Sequence, residues 1–169
     1  MSPLSKIFWM KHEQPDIYQN TAMFADIKTY IFYQLYEAYV MDHSMASATG
    51  LFNLQQLDWD QEALELLGIS ASQLPQLVPT THILKGMKKR YATLMGIDEN
   101  TPVVVGASDG VLSNLGVNSY KKGEVAVTIG TSGAIRTVID KPRTDYKGRI
   151  FCYVLDEEHY VIGGPVNNG

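Results

Sequence analysis

A single cysteine, Cys152, stands in 169 residues, so the chain can form no internal disulfide. Its neighbours make it read as a strand residue rather than a nucleophile, and one lone thiol fits a reducing, cytoplasmic setting. Basic clusters are equally scarce. Beyond Lys88-Lys89-Arg90 there is none, and the net charge is -4, which makes nucleic acid a poor candidate partner. The longest apolar stretch, residues 30–41, is broken by Gln34 and Glu37 and is too short to cross a bilayer. The first residues carry neither the charged nor the apolar region of a signal peptide. His12, His43, His82 and His159 are scattered without metal-ligand spacing, so no metal site is expected. No internal repeat, Gly-x-Ser-x-Gly elbow, dinucleotide fingerprint or Gly-Lys-Ser/Thr loop ending occurs.

What is present is the balance of a globular protein: 45% hydrophobic and 19% charged residues. Ser2 and Pro3 suit the cap and first turn of a helix carrying Ile7, Phe8, Trp9 and Met10, which Pro15 ends. Residues 21–34 read as a second helix, with Met23, Phe24, Ile27, Ile31 and Leu35 on an inward stripe. Small and hydroxylated residues make 42–53 a turn or loop. Residues 61–67 and 88–95 read as short helices stopped by Gly68 and Gly96, and 72–77 as one more helical turn. The run Val103-Val104-Val105 between Pro102 and Gly106 reads as a buried strand, because it does not alternate. A helix over 108–117 follows it. After residue 118 the chain becomes strand-rich, with strands expected at 124–129, 134–139, 149–155 and 160–162 in an antiparallel meander. These roughly 50 residues are too few for a core of their own, so the chain reads as a piece of something longer.

Two segments can carry chemistry. Gly106-Ala107-Ser108-Asp109-Gly110 lies at the carboxyl end of a strand, where open α/β sheets put their ligands. Asp109 would enter the next helix's first turn, where the dipole favours negative charge. A carboxylate there can accept a proton from a hydroxyl attacking phosphorus. Taken alone, the same aspartate reads equally well as a helix cap. Gly130-Thr131-Ser132-Gly133 joins two strands and could present N–H and hydroxyl donors to phosphate. An ordinary hairpin turn uses the same residue types.

Order and spacing break the tie. The segment from Ser2 to Met10, with Lys6 and Trp9, resembles the first signature of the FGGY carbohydrate kinases, His12 being a departure from it. The segment from Asp42 to Gly50, with Leu51, Phe52, Asn53 and Trp59, resembles that family's middle region. Gly106 to Gly110 and Thr128 to Gly133 follow in the family's order, so the resemblance covers essentially the whole chain.

The resemblance implies an α/β fold, part of a two-domain ribonuclease-H-like kinase of the actin and hexokinase type. Residues 1–117 would be the C-terminal part of its N-terminal domain and 118–169 the first strands of its C-terminal domain. Asp109 matches the catalytic base, and Gly130, Thr131, Ser132 and Gly133 match a loop facing the ATP phosphates. Met1 and Gly110 fall near the substrate. ATP and Mg²⁺ are implied, with the first phosphate loop, the main Mg²⁺ contacts and the adenosine pocket outside this chain. The wording around Asp109 and up to Arg136 is most similar to the gluconate-phosphorylating members. The implied partners are ATP and a sugar or sugar acid, with self-association left open. Xylulose or another sugar is the alternative substrate. An actin-like nucleotide-binding protein without sugar phosphorylation is the alternative of another class.

Overall fold

The structure is a computed structural model that describes residues 2–167. Its first helix, α1 (Pro3–Glu13), starts as its sequence dictates: the Ser2 side chain accepts from the Ser5 N–H, and Pro3 needs no donor at the first position. Pro15 then opens a second short helix, α2 (Pro15–Gln19), rather than merely closing the first. The expected helix over 21–34 is shifted. Helix α3 spans Ile27–Tyr36 because the Asp26 carboxylate caps it, accepting from the Thr29 N–H at 2.7 Å. Its inward face is also not the expected one. Thr29 and Phe32 are buried while Ile27 and Ile31 are exposed. The Thr29 hydroxyl donates to the Val40 carbonyl at 3.0 Å, and Lys28 reaches the buried Asp42 carboxylate at 2.6 Å. Polar anchoring thus overrides the apolar stripe.

Strand β1 (Val40–Asp42) runs parallel to β4 (Gln76–Val78). Between them the segment expected as a loop contains a helix, α4 (His43–Ser47), which Asp42 caps through the Met45 N–H at 2.9 Å. The hairpin of β2 (Phe52–Asn53) and β3 (Asp58–Trp59) follows, then α5 (Gln61–Leu67), capped by Asp60 and closed by Gly68 at φ +75°. The helical turn expected at 72–77 is a 3-10 turn at Ala71–Gln73 before β4. These pieces enclose one apolar cluster around Ala46, Leu51, Leu64 and Leu67.

Strand β5 (Ile83–Leu84) pairs antiparallel with β6 (Val103–Val104), and α6 (Lys89–Met95) lies between them in sequence. Val104 is 56% exposed, so β6 is not the buried strand its unbroken apolar run suggested. β5 is its one partner strand among the described residues, and no layer covers the Val104 side chain. The chain then bends at Gly106, whose φ of +74° favours glycine, into α7 (Asp109–Gly116).

The last third forms one antiparallel sheet of β7 (Val125–Ile129), β8 (Gly133–Ile139), β9 (Phe151–Val154) and β10 (Tyr160–Val166). Its order is β7-β8-β10-β9, not a meander: the final strand inserts between β8 and β9. One face packs Val138, Val161 and Leu155 against Val111 of α7. The opposite face sets Cys152, Val154 and Tyr160 on Phe52, Leu54 and Leu57. Two hydrogen bonds fasten the same junction, Thr80 Oγ1 to the Leu155 carbonyl at 2.8 Å and the Val154 N–H to Ser47 Oγ at 3.2 Å. The sheet therefore completes its core by leaning on the first two thirds of the chain.

Candidate active site

Asp109 stands at the first position of α7, directly after the bend from β6. Ser108, not Asp109, is the residue that precedes the helix as its cap position, and it adopts extended φ/ψ. Asp109 Oδ1 accepts from the Gly110 N–H at 2.7 Å, and the residue is exposed. Ser108 holds the cap position without a side-chain cap hydrogen bond, and the Asp109 carboxylate itself takes a first-turn N–H, so the helix-end role read from the sequence stands beside its outward exposure. The mounting is firm. Ser108 is buried, its N–H donating to Ser44 Oγ and its hydroxyl accepting from the same Ser44, both at 3.2 Å. Asn114, one and a half turns along α7, is fully buried and donates to the Ser119 carbonyl at 3.3 Å.

Gly110 lies in the first turn of α7 beneath the Arg136 side chain of β8. A Cβ on Gly110 would stand 3.6 Å from both Nε and Nη2 of that guanidinium. Arg136 Nη1 donates to Thr128 Oγ1 at 3.0 Å, a bond between β8 and the end of β7. Across the sheet Arg136 faces Ala126 on one side and Gly163 on the other, and Gly163 faces Phe151. A Cβ on Gly163 would be 2.6 Å from the Phe151 ring, so the bare glycine lets that ring lie over β10 on the Arg136 side. Phe151 stacks on Tyr153, ring centroids 4.6 Å apart. Burial pushes the Tyr153 phenol up, while the Arg136 cation pulls it down and the Asp109 carboxylate pushes it up. Asp109, Arg136 and Tyr153 therefore share one electrostatic neighbourhood.

The turn from β7 to β8 carries Gly130, Thr131, Ser132 and Gly133. The Gly130 N–H closes it on the Ser132 carbonyl at 2.9 Å, and the first three residues are exposed. Among the described residues the Thr131 and Ser132 hydroxyls have no hydrogen-bond partner, so both are free to donate outward. At Gly133 a Cβ would come within 3.3 Å of the Thr128 carbonyl, a spacing that favours glycine. Met1 lies outside the described residues.

Asp109 and the loop come from separate elements, and Arg136 is the side chain that links their supports. Its place on β8, pointing to the α7 side, follows from strand alternation but needs the register to be seen. Ser44 was hidden among the small residues of 42–53, and only its burial beside Ser108 reveals its part. Among the described residues no group of three or more His, Cys, Asp or Glu side chains could hold a metal ion. No described helix is long and apolar enough to cross a membrane.

Comparison with known proteins agrees with this architecture. The sequence profile of the N-terminal domain of the FGGY family of carbohydrate kinases matches residues 1–116. A gluconokinase of Bacillus subtilis (strain 168) is 62% identical over 169 residues, which is all of this chain and 33% of that protein. The crystal structure of a gluconate kinase from Lactobacillus acidophilus superposes with a TM-score of 0.95 and 42% identity, over 99% of this chain and 34% of that one. A ligand-bound xylulose kinase from the same organism gives the same TM-score of 0.95 and identity of 42%, over 99% of this chain and 34% of its own. The chain thus spans about a third of the length of the relatives it matches.

Proposed function

The chain belongs to the FGGY family of carbohydrate kinases, and on that premise we propose that it works as part of a longer enzyme that phosphorylates gluconate to 6-phosphogluconate with ATP. In this reading residues 1–117 end the enzyme's N-terminal domain and 118–169 begin its C-terminal one. The family match stopping at residue 116 and the change to antiparallel sheet support that division.

The observation that carries the mechanism is the exposed Asp109 carboxylate, fixed at the start of α7 while Ser108 takes the cap position. Asp109 accepts the proton of the substrate's primary hydroxyl as its oxygen bonds to the γ-phosphorus and the bond to ADP breaks. Thr131, Ser132 and the N–H groups of the β7–β8 turn hold phosphate oxygens as charge shifts toward ADP. Gly110 lets the substrate approach Asp109 closely. Mg²⁺ enters as the partner of ATP. The described residues offer no carboxylate cluster to hold it, and its main protein contacts would lie in the rest of the longer enzyme.

A substrate panel tests this proposal: ADP release by the full-length enzyme with gluconate, xylulose and glycerol. Gluconate should give the highest kcat/KM. Xylulose is the second reading, favoured by the superposition on a xylulose kinase, and equal or better turnover of xylulose would replace gluconate with it. Alone, the 169-residue chain should release no sugar-dependent ADP, because it spans a third of its relatives.

A further inference from the structure

Several of the chain's cations have an anion beside them. Lys28 is paired with Asp42, Lys88 with Glu37 and Arg149 with Asp145. Arg136 is different. Among the described residues it makes no ion pair, and its Nε is shut off from solvent without a hydrogen-bond partner. One contact to Thr128 Oγ1 engages Nη1, which leaves most of the five guanidinium donors free. A half-buried, underused guanidinium is costly unless something comes to meet it. It lies on the turn of α7 one residue past Asp109, with Nε and Nη2 toward Gly110.

We infer that Arg136 binds the carboxylate of an acidic substrate and sets a preference for sugar acids over neutral sugars. The inference rests on the gluconate reading and names the residue that would select within it. A sugar acid brings a negative charge into a site already holding the Asp109 carboxylate, and like charges repel there. A neutral sugar brings no such need. The planar guanidinium fork matches a carboxylate with two parallel hydrogen bonds. The transferring phosphoryl group is the other anion available. However, Arg136 touches the acceptor side, Gly110 of α7, and makes no hydrogen bond to Thr131 or Ser132 of the loop. The Phe151–Tyr153 stack on the same side adds a wall against which the acid can lie.

The test compares full-length wild type, Arg136→Gln and Arg136→Lys in kcat and KM for gluconate and xylulose. Calorimetry of gluconate binding without nucleotide is run beside it. Arg136→Gln should raise the gluconate KM by about 10–100-fold, the size of a charged hydrogen-bonded contact. The gluconate-over-xylulose efficiency ratio and the gluconate affinity should fall by the same factor, and Arg136→Lys should recover part of it. Should Arg136→Gln not fold, Arg136→Lys alone is read, with a KM rise of about tenfold expected from loss of the fork. A kcat loss equal on both sugars, with gluconate binding retained, would assign Arg136 to the phosphoryl group and overturn the inference. So would a ratio within threefold of wild type in a folded variant. Wild type preferring xylulose sinks the gluconate reading itself, whereas wild type preferring gluconate with a variant that keeps that preference sinks this inference alone.

Discussion

Ser44 and Ser108 meet in the interior directly behind the proposed catalytic residue, Ser44 Oγ taking the Ser108 N–H and giving its proton to the Ser108 hydroxyl at 3.2 Å each. Both are buried, Ser44 fully. This pair joins α4 to the start of α7 and fixes where Asp109 emerges. Ser44→Ala strands the buried Ser108 N–H and should cost about 1–3 kcal/mol of stability. In the full-length enzyme it should lower kcat by several-fold with little change in KM for ATP. Chemical denaturation and steady-state kinetics check the two effects.

Lys28 and Asp42 make a second anchor, at 2.6 Å, with the Asp42 side chain wholly buried. The carboxylate also caps α4 through its other oxygen. Lys28→Met leaves that charge without its partner and should destabilise by roughly 3–5 kcal/mol. Asp42→Asn keeps the cap and removes the charge, so it should cost less. A Lys28→Met protein as stable as wild type in urea would show that the pair contributes nothing.

His43 begins α4, and burial lowers its imidazole below the ordinary 6.5, although Asp42, Glu157 and Asp58 pull it up. The unfolded chain therefore takes up a proton near 6.5 while the folded chain resists until lower pH. Its contribution to stability is present above 6.5 and is lost as pH falls toward the folded value. An NMR titration of the His43 ring should show a midpoint below 6.5. The fall in melting temperature from about pH 7 to about pH 5 should be smaller in His43→Gln.

The β7–β8 turn should bear on nucleotide rather than sugar. Thr131→Ala with Ser132→Ala removes two outward hydroxyls and should raise the KM for ATP and lower kcat, together about 10–100-fold in kcat/KM. Gly133→Val adds bulk where a Cβ already comes within 3.3 Å of the Thr128 carbonyl and should distort the turn. ATP kinetics at saturating gluconate decide; a double alanine variant with wild-type values would remove the turn from the site.

Local chemistry made much of this fold legible. Ser2-Pro3, Gly68 and Gly96 mark helix ends where they are found, and the four late strands fall close to their expected places. What the sequence hid depends on contacts far apart in the chain. Residues 21–26 are helical in pattern, but the Asp26 cap starts the helix later, and the Lys28 and Thr29 anchors turn Ile27 and Ile31 outward. The insertion of β10 between β8 and β9 is long-range pairing that no local pattern announces. At the site, Asp109 was visible through its strand–glycine–helix setting. Ser44 lies 64 residues from Ser108 in sequence, and Arg136 meets Gly110 only through the register of the sheet.

The central claim is that Asp109 accepts the substrate's proton. Its most direct measurement is kcat for gluconate phosphorylation by the full-length enzyme carrying Asp109→Asn, an isosteric change at an exposed position. The expected result is a loss of about 10²–10⁴-fold in kcat with binding of ATP and gluconate retained. Turnover within a few-fold of wild type would contradict it.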